Sequence, residues 1–323
     1  MQHHSRNCAR AVLLFVVAFF NLQAIRRDDN SHNGVFVKLE GHALVNHVME
    51  SFSVTSPVHC GQGCLGNPSC RSYNIRHDTV CELLNTTKKS AKECLIKHSG
   101  SNHYHDPEIF TSCLDFLHAG YDKNGIFTIT GSDNNDFKVF CDFTSELGSA
   151  WTLVLSFARK NKNLDTYCKR SLSQNDPRNG ENPNWEDYRL SLSRMQHLRS
   201  QSTYWRFTTE FPVLGVDYRD YVRAKFSSMD VLTFHAGGHC KQVELVNIRG
   251  YQGADITAPF WQVDGTWPLH TDSTSEACEF RSAKAGSVAT ENNFGYYCQT
   301  YNPVFRGTAT QESTTQLWFG AYL

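Results

Sequence analysis

The chain lacks the short motifs that mark common catalytic sites. It has no G-x-S-x-G elbow, no H-E-x-x-H, no glycine-rich phosphate loop and no paired-carboxylate motif. Those absences argue against the commonest serine hydrolases, zinc hydrolases and nucleotide-binding enzymes. Charge of one sign is missing as well. Lys and Arg number 31 against 32 Asp and Glu, for a net charge of −1. With no basic block, nucleic acid and anionic membrane find no electrostatic footprint. C-x-x-C pairs are absent, and structural zinc usually needs such knuckles. Only one long apolar run occurs, from Ala11 to Phe20. At about 10 residues it is too short to cross a hydrocarbon core of about 30 Å.

That run has the layout of a secretory signal. Arg6 and Arg10 precede it and Ala24 closes it in a small-residue position, so residues 1–24 are expected to be removed. An uncleaved anchor is the rival, favoured by Arg26 and Arg27 just beyond. The remaining chain, about 300 residues, suits two domains and is expected to be secreted and extracellular. Asn85-Thr86-Thr87 is an N-glycosylation sequon, whereas Pro68 blocks the one at Asn67.

What the chain does have is cysteine, twelve in all. Clustered cysteines behind a secretion signal point to disulfide-stapled modules, because bridges replace part of the core in an oxidising compartment. Removing the leader removes Cys8 and leaves eleven, an odd number. One cysteine is then expected to be free, capped or joined to another chain.

Between residues 35 and 54 the apolar residues Val35, Val37, Leu39, Leu44 and Phe52 alternate imperfectly, as in short strands. Cys60 and Cys64 follow, four apart on one face of a helical turn. Gly66, Asn67 and Pro68 break that turn. Strands are expected at 72–75 and 80–83, joined by a turn at His77 and Asp78. The series C-x3-C, a turn, C-x-S-Y-N and C-E-L resembles the PAN/apple module over residues 35–105. The resemblance implies Cys60–Cys81 and Cys64–Cys70 bridges that clip one helix to a central sheet. Apple domains tie their ends with a cysteine that is absent here near residue 35, which makes Cys94 the expected odd thiol. Zinc is the alternative for this cluster, with His59 and His77 nearby; the missing knuckles favour disulfides.

Strands are expected at 125–129 and 137–141, with the polar GSDNND between them as a turn. Its Asp133, Asn134, Asn135 and Asp136 suggest calcium at first sight, but an EF-hand needs glycine where Lys138 stands. The series C-L-D-F-L, G-I-F-T-I, F-K-V-F-C-D-F and G-S-A-W-T-L-V resembles the opening of fibrinogen-like domains, which implies a Cys113–Cys141 bridge. Cys168, the N-W-E-D-Y run at 184–188 and the final T-Q-L-W-F-G-A-Y strand are similar to the intelectin branch. The second domain is therefore expected over 111–323, with a helix at 190–201. Cys168, Cys240, Cys278 and Cys298 allow three connectivities, with Cys168–Cys298 and Cys240–Cys278 preferred.

In intelectins a calcium ion chelates a glycan diol, and a hard cation accepts hydroxyl oxygens beside carboxylates in a flexible shell. The nearest counterpart is Glu291, Asn292 and Asn293, with Tyr296, Tyr297 and Tyr301 as walls of a sugar pocket. The family's two histidines and its glycine run are replaced and the full ligand count is lacking, which favours a plain polar loop, with calcium as the alternative. Trp205, Trp261 and Trp267 are core residues by default and sugar platforms otherwise. His235, His239 and Cys240 could hold zinc on a helix, but Gly237 and Gly238 argue for a loop.

The sequence thus leads to two α+β domains in a secreted recognition protein. It would be lectin-like or adhesive, bind glycans or extracellular glycoproteins and carry out no catalysis, with Ca²⁺ as the one candidate cofactor. The first alternative is a matrix protein cross-linked through Cys94; the second is a secreted hydrolase.

Overall fold

The computed structural model describes residues 36–88, 90–106, 109–272, 277–281 and 291–323. The expected leader lies outside them. No helix of the described residues is long and apolar enough to cross a membrane. The chain divides into two compact units between residues 108 and 109.

The first unit is a five-stranded antiparallel sheet in the order β1-β5-β3-β4-β2. Its strands are β1 (Val37–Leu44), β2 (Val48–Ser53), β3 (Ser72–Arg76), β4 (Val80–Leu84) and β5 (Leu95–His105). Helix α1 (Pro57–Gly66) starts where Ser56 Oγ accepts the His59 amide at 3.3 Å, with Pro57 in the first turn. That arrangement satisfies one orphan amide and places proline where its missing N–H costs nothing. His77 and Asp78, both at positive φ, make the tight turn between β3 and β4. Bridges Cys60–Cys81 and Cys64–Cys70 tie α1 to β4 and to the approach of β3. All four sulfurs are buried in a small core with Val54, Tyr73, Ile75 and Leu83. The disulfides occupy space that a larger domain would fill with aliphatic side chains.

One polar residue connects the sheet internally. Asn74 on β3 is fully buried. Its Oδ1 accepts the Leu44 amide at 3.0 Å and lies 2.9 Å from His103 Nδ1, while Nδ2 donates to Leu44 O and Glu82 Oε2, both at 2.9 Å. Among the described residues Cys94 is disulfide-bonded and no cysteine is free.

The second unit is built on an eleven-stranded sheet. Its strands are β6 (Gly125–Thr130), β7 (Asp136–Asp142), β8 (Ser149–Ala158), β9 (Asp187–Arg189), β10 (Tyr204–Thr209), β11 (Tyr221–Lys225), β12 (Ala236–Ile248), β13 (Tyr251–Val263), β14 (Trp267–Asp272), β15 (Asn292–Asn293) and β16 (Thr314–Tyr322). The order is β15-β14-β13-β12-β11-β10-β16-β8-β7-β6, with β9 also on β8. The chain's last strand, β16, therefore fills the middle of the sheet, between β8 and β10. Every residue of β8 and all but the last of β16 are buried. Short helices accompany it: α2 (Cys113–His118), α3 (Asp165–Cys168), α4 (Leu192–Ser200) and α5 (Phe211–Leu214).

Strand accounts for 43% of the structure and helix for 15%, so the expected α+β class gives way to a sheet-dominated one. Helix is confined to short pieces because most apolar residues alternate with period two or form the continuous runs of doubly covered strands. Cys113 opens α2 and reaches β7 through Cys113–Cys141. The remaining described bridges are Cys168–Cys298 and Cys240–Cys278. Cys168–Cys298 closes a separation of 130 residues, so it constrains the unfolded chain far more than Cys64–Cys70 at 6. The segment expected to loop at 235–240 is instead the start of β12, with a bulge between Ala236 and His239. Gly238, at φ +69°, has Trp261 where a Cβ would come within 3.0 Å of the ring. The glycines are there to let the indole lie on the strand, and they do not end it.

Arg206 on β10 is wholly buried and carries the polar core of this unit. Its Nη2 donates to Asp142 at 2.5 Å and Nη1 to Glu146 at 3.0 Å, while the guanidinium lies 4.3 Å from the centre of Trp151. Glu146 also accepts from Tyr221, Arg223 and Tyr322. Burial alone would raise the Asp142 and Glu146 carboxyls, but Arg206 outweighs it and holds both below the ordinary range.

Acid should act in two stages. Burial pushes the His103 imidazole down to about 3, helped by His105, Lys88 and His42, and His270 down to about 4. A histidine lowered by folding contributes stability above its unfolded value of about 6.5, and that stability drains away between there and the folded value. The lowered carboxyls contribute above about pH 4 and lose their share as pH falls through their folded values. All six tryptophans lie in the second unit, so indole fluorescence reports its guanidinium midpoint alone. That midpoint should fall between pH 6.5 and 4.5 in the wild type and fall less in His270→Gln; equal slopes would remove His270 as the cause. In the first unit, Asn74→Ala should cost about 2–3 kcal/mol by stranding buried donors and acceptors, read as lost hydrogen-exchange protection in β3.

Candidate functional site

The residues expected to hold calcium are buried and already engaged. Asn292 and Asn293 form β15, paired to Asp272 and Thr271 of β14. Glu291 is fully buried. Its Oε1 forms an ion pair with Arg249 Nη1, and its Oε2 accepts from Asn302 Nδ2 at 3.0 Å. Arg249 sits at the turn between β12 and β13, where its amide is held by the Asp220 carboxylate. The Asn292 side chain donates to Thr300 O at 3.0 Å. A calcium ion takes six to eight oxygens and relies on carboxylate charge. Here the one carboxylate is already neutralised by a guanidinium that would repel a second cation, so these residues do not fit calcium. Among the described residues no group of three or more His, Cys, Asp or Glu side chains could hold a metal ion. That covers His235, His239 and Cys240 too: His235, just before β12, and His239 on it are exposed, and Cys240 is bridged.

The three tyrosines separate. Tyr297 is core, with its hydroxyl 2.9 Å from Thr315 Oγ1 and its pKa driven upward by burial. Tyr301 is half-buried and accepts from Arg159 Nη1 at 2.7 Å, with the Arg159 and Lys162 cations over its ring at 4.9 and 5.2 Å. Such cation–π contacts fix a surface ring and occupy its face. Tyr297 also packs on Phe157 and Phe305 in the core, whereas Tyr296 joins a cluster with half-buried tryptophans. Its ring lies 5.1 Å from His270, whose other neighbour is Trp261 at 5.7 Å, stacked at 21°. Trp267, paired through β14 to Val263, completes the group by a side-chain hydrogen bond with Tyr296.

Apart from Tyr296, which follows β15, this cluster stands on the β13–β14 hairpin with Gly237 and Gly238 of β12 beneath Trp261 and Trp267. Both tryptophans are half-buried. Trp205, by contrast, is core, with its indole N–H given to Met229 O at 2.9 Å. Two of the three tryptophans considered as sugar platforms are thus brought beside one of the three expected tyrosines. His270, neutral at ordinary pH because of its burial, acts as a flat uncharged spacer. Half-buried indoles offer an apolar face with a polar N–H at the rim, the composition suited to a ligand that is apolar on one face and hydroxylated at its edges. His270 was not singled out from sequence; β14 is buried continuously from Pro268 to Thr271, so alternation gives no signal for it.

Elsewhere, the GSDNND segment is a turn: Asp133 Oδ1 accepts the Asn135 amide at 3.0 Å and the Gly131 amide donates to Asn135 O at 2.8 Å. Asn85 of the sequon is exposed just after β4, accessible to a glycan.

With the geometry in view, the comparison with known families becomes specific. Residues 34–113 match the PAN domain family, a stretch that spans the described first unit and ends at the first cysteine of the second. No curated protein matches the chain. The disulfide-rich PAN region is of a kind typical of extracellular proteins.

Glu291→Gln should lower stability by about 3–5 kcal/mol, because it leaves the Arg249 cation buried without its counter-charge. Excess calcium or EDTA should leave the wild-type melting temperature unchanged. A calcium-dependent rise would contradict the assignment of Glu291 to Arg249.

Proposed function

We propose that this is a secreted extracellular recognition protein that binds glycans or glycoproteins, in the manner of a lectin or adhesive protein, and performs no chemistry on them. The observation that carries this reading is the PAN match over residues 34–113. That module's helix is clipped to its sheet by two bridges. PAN domains are associated with protein or carbohydrate binding in extracellular proteins, and a disulfide-fixed scaffold loses little freedom when its surface engages a ligand. For the second unit we retain the fibrinogen-like, intelectin-like scaffold as a proposal. It rests on the resemblance of residues 111–155 and of the last strand.

Within that unit the aromatic cluster is the better supported contact surface. It combines Trp261 and Trp267 of one hairpin, backed by the buried Tyr296 that follows β15, whereas the Glu291 region is consumed by an ion pair. Binding there would need no metal.

Glycan-array binding of the secreted protein, run in calcium and again in EDTA, tests the proposal. Equal binding in both buffers is expected, with a loss of about tenfold or more in Trp261→Ala and in Trp267→Ala, the size of one hot-spot contact. Binding that vanishes in EDTA would move the site away from the indoles. Absence of binding to any glycan would end the lectin reading and leave protein adhesion.

A further inference from the structure

The second unit contains two fully buried arginines with opposite surroundings. Arg206 faces two carboxylates and an indole. Arg189, at the end of β9, has no such partner. Its Nη2 donates to the backbone carbonyls of Ser171 at 2.8 Å and Gln174 at 2.6 Å, while Nε and Nη1 have no hydrogen-bond partner. The carboxylates nearby are committed elsewhere. Asp187 is held by Arg178 and Tyr167, Asp176 by Thr166, and Asp264 by the Ser171 amide and Arg170.

A guanidinium cannot escape this situation by losing its proton. Burial lowers Arg189 only to about 10, so it stays a cation at any physiological pH. An unpaired buried charge costs several kcal/mol, which native structures normally offset with a counter-charge.

Arg189 borders a pocket walled by Leu155, Phe157, Leu269 and Phe294, and Arg170 lines it as well. The unmatched Arg189 guanidinium makes the pocket positive at its inner end; Arg170, shared with Asp264, stands at the other, and Thr166 and Tyr167 bring the hydroxyls among its otherwise mostly apolar walls. It has room for little more than one or two water-sized molecules. We propose that this pocket binds a small inorganic anion of halide size, with Arg189 as its inner ligand and Arg170 as the outer charge. A halide needs only donors and positive charge, which is what the pocket offers. A carboxylate or sulfate would have to place further oxygens against apolar walls. The site is separate from the aromatic cluster and does not depend on the glycan proposal.

The test uses the full secreted chain, transferred into sodium gluconate and titrated with sodium chloride or bromide at constant ionic strength. Tryptophan fluorescence reports the melting temperature of the second unit. A saturable rise of about 2–4 °C or more is expected for both halides, since a ligand of the folded state alone stabilises it by mass action. Arg189→Gln should abolish the halide dependence. Should that variant not fold, Arg170→Gln, altered at a part-exposed residue, should keep the rise but move its midpoint to several-fold higher halide. Crystals grown in millimolar bromide should show an anomalous peak beside the Arg189 guanidinium. Equal melting temperatures in halide and gluconate, an unshifted midpoint in Arg170→Gln, or a water without anomalous signal beside Arg189 would each overturn the proposal.

Discussion

The second unit depends on a single buried cation. Arg206 lies on β10, beside the strand that enters the middle of the sheet last in sequence; its carboxylate partners come from the end of β7 and the loop before β8, and Glu146 carries the network on to Tyr221 of β11 and Tyr322 of β16. Without Arg206, Glu146 and Asp142 would be two carboxylates buried close together. Without them, a guanidinium would lie against Trp151 and Trp318 with no counter-charge. Replacing such a network with apolar side chains can leave stability unchanged, but removing one member strands the others. The energetic consequence is specificity of assembly: β16 can enter between β8 and β10 in one register only, because Tyr322 must reach Glu146. Gly320 reinforces that register, since a Cβ there would meet Ala150 O at 2.5 Å and the Trp151 ring.

The first unit solves the same problem on a smaller scale and by other means. It has too few apolar residues for a large core, so sulfur bridges fill the space under α1, and Asn74 performs the polar cross-linking that Arg206 performs in the larger unit. Four contacts converge on one amide, from β1, β4 and β5. The asparagine of the C-x-S-Y-N series is thus explained by the fold, as the residue small enough to sit inside a sheet and able to donate and accept at once.

What was legible in the sequence follows from what is local. Cys60 and Cys64 share a helical face, so their spacing announces α1; the proline and asparagine behind them announce its end. The alternation of G-I-F-T-I and F-K-V-F-C announces β6 and β7. Non-local facts are silent. Nothing near residue 317 says that the last strand lies between β8 and β10. Nothing near Glu291 says that its partner is Arg249 on a hairpin turn. Glycines misled at 237–238 because a glycine under an indole and a glycine in a loop look alike until the indole is placed.

The Arg249–Glu291 pair also changes where recognition should be sought. An acidic, amide-rich segment beside aromatics has the composition of a calcium-dependent sugar site, but composition does not specify charge balance. Once a guanidinium occupies the carboxylate, the segment becomes a polar strut that anchors β15 against β14, and its burial follows. The surface left available on the same sheet edge is the one made by Trp261 and Trp267, carried by β13 and β14, backed by the buried Tyr296 and kept flat by the glycines of β12. Such a surface recognises shape and apolar faces, and a metal would add nothing to it. The strut and the platform share β14, so the pairing that ended the metal site also holds in place the strand on which Trp267 and His270 stand.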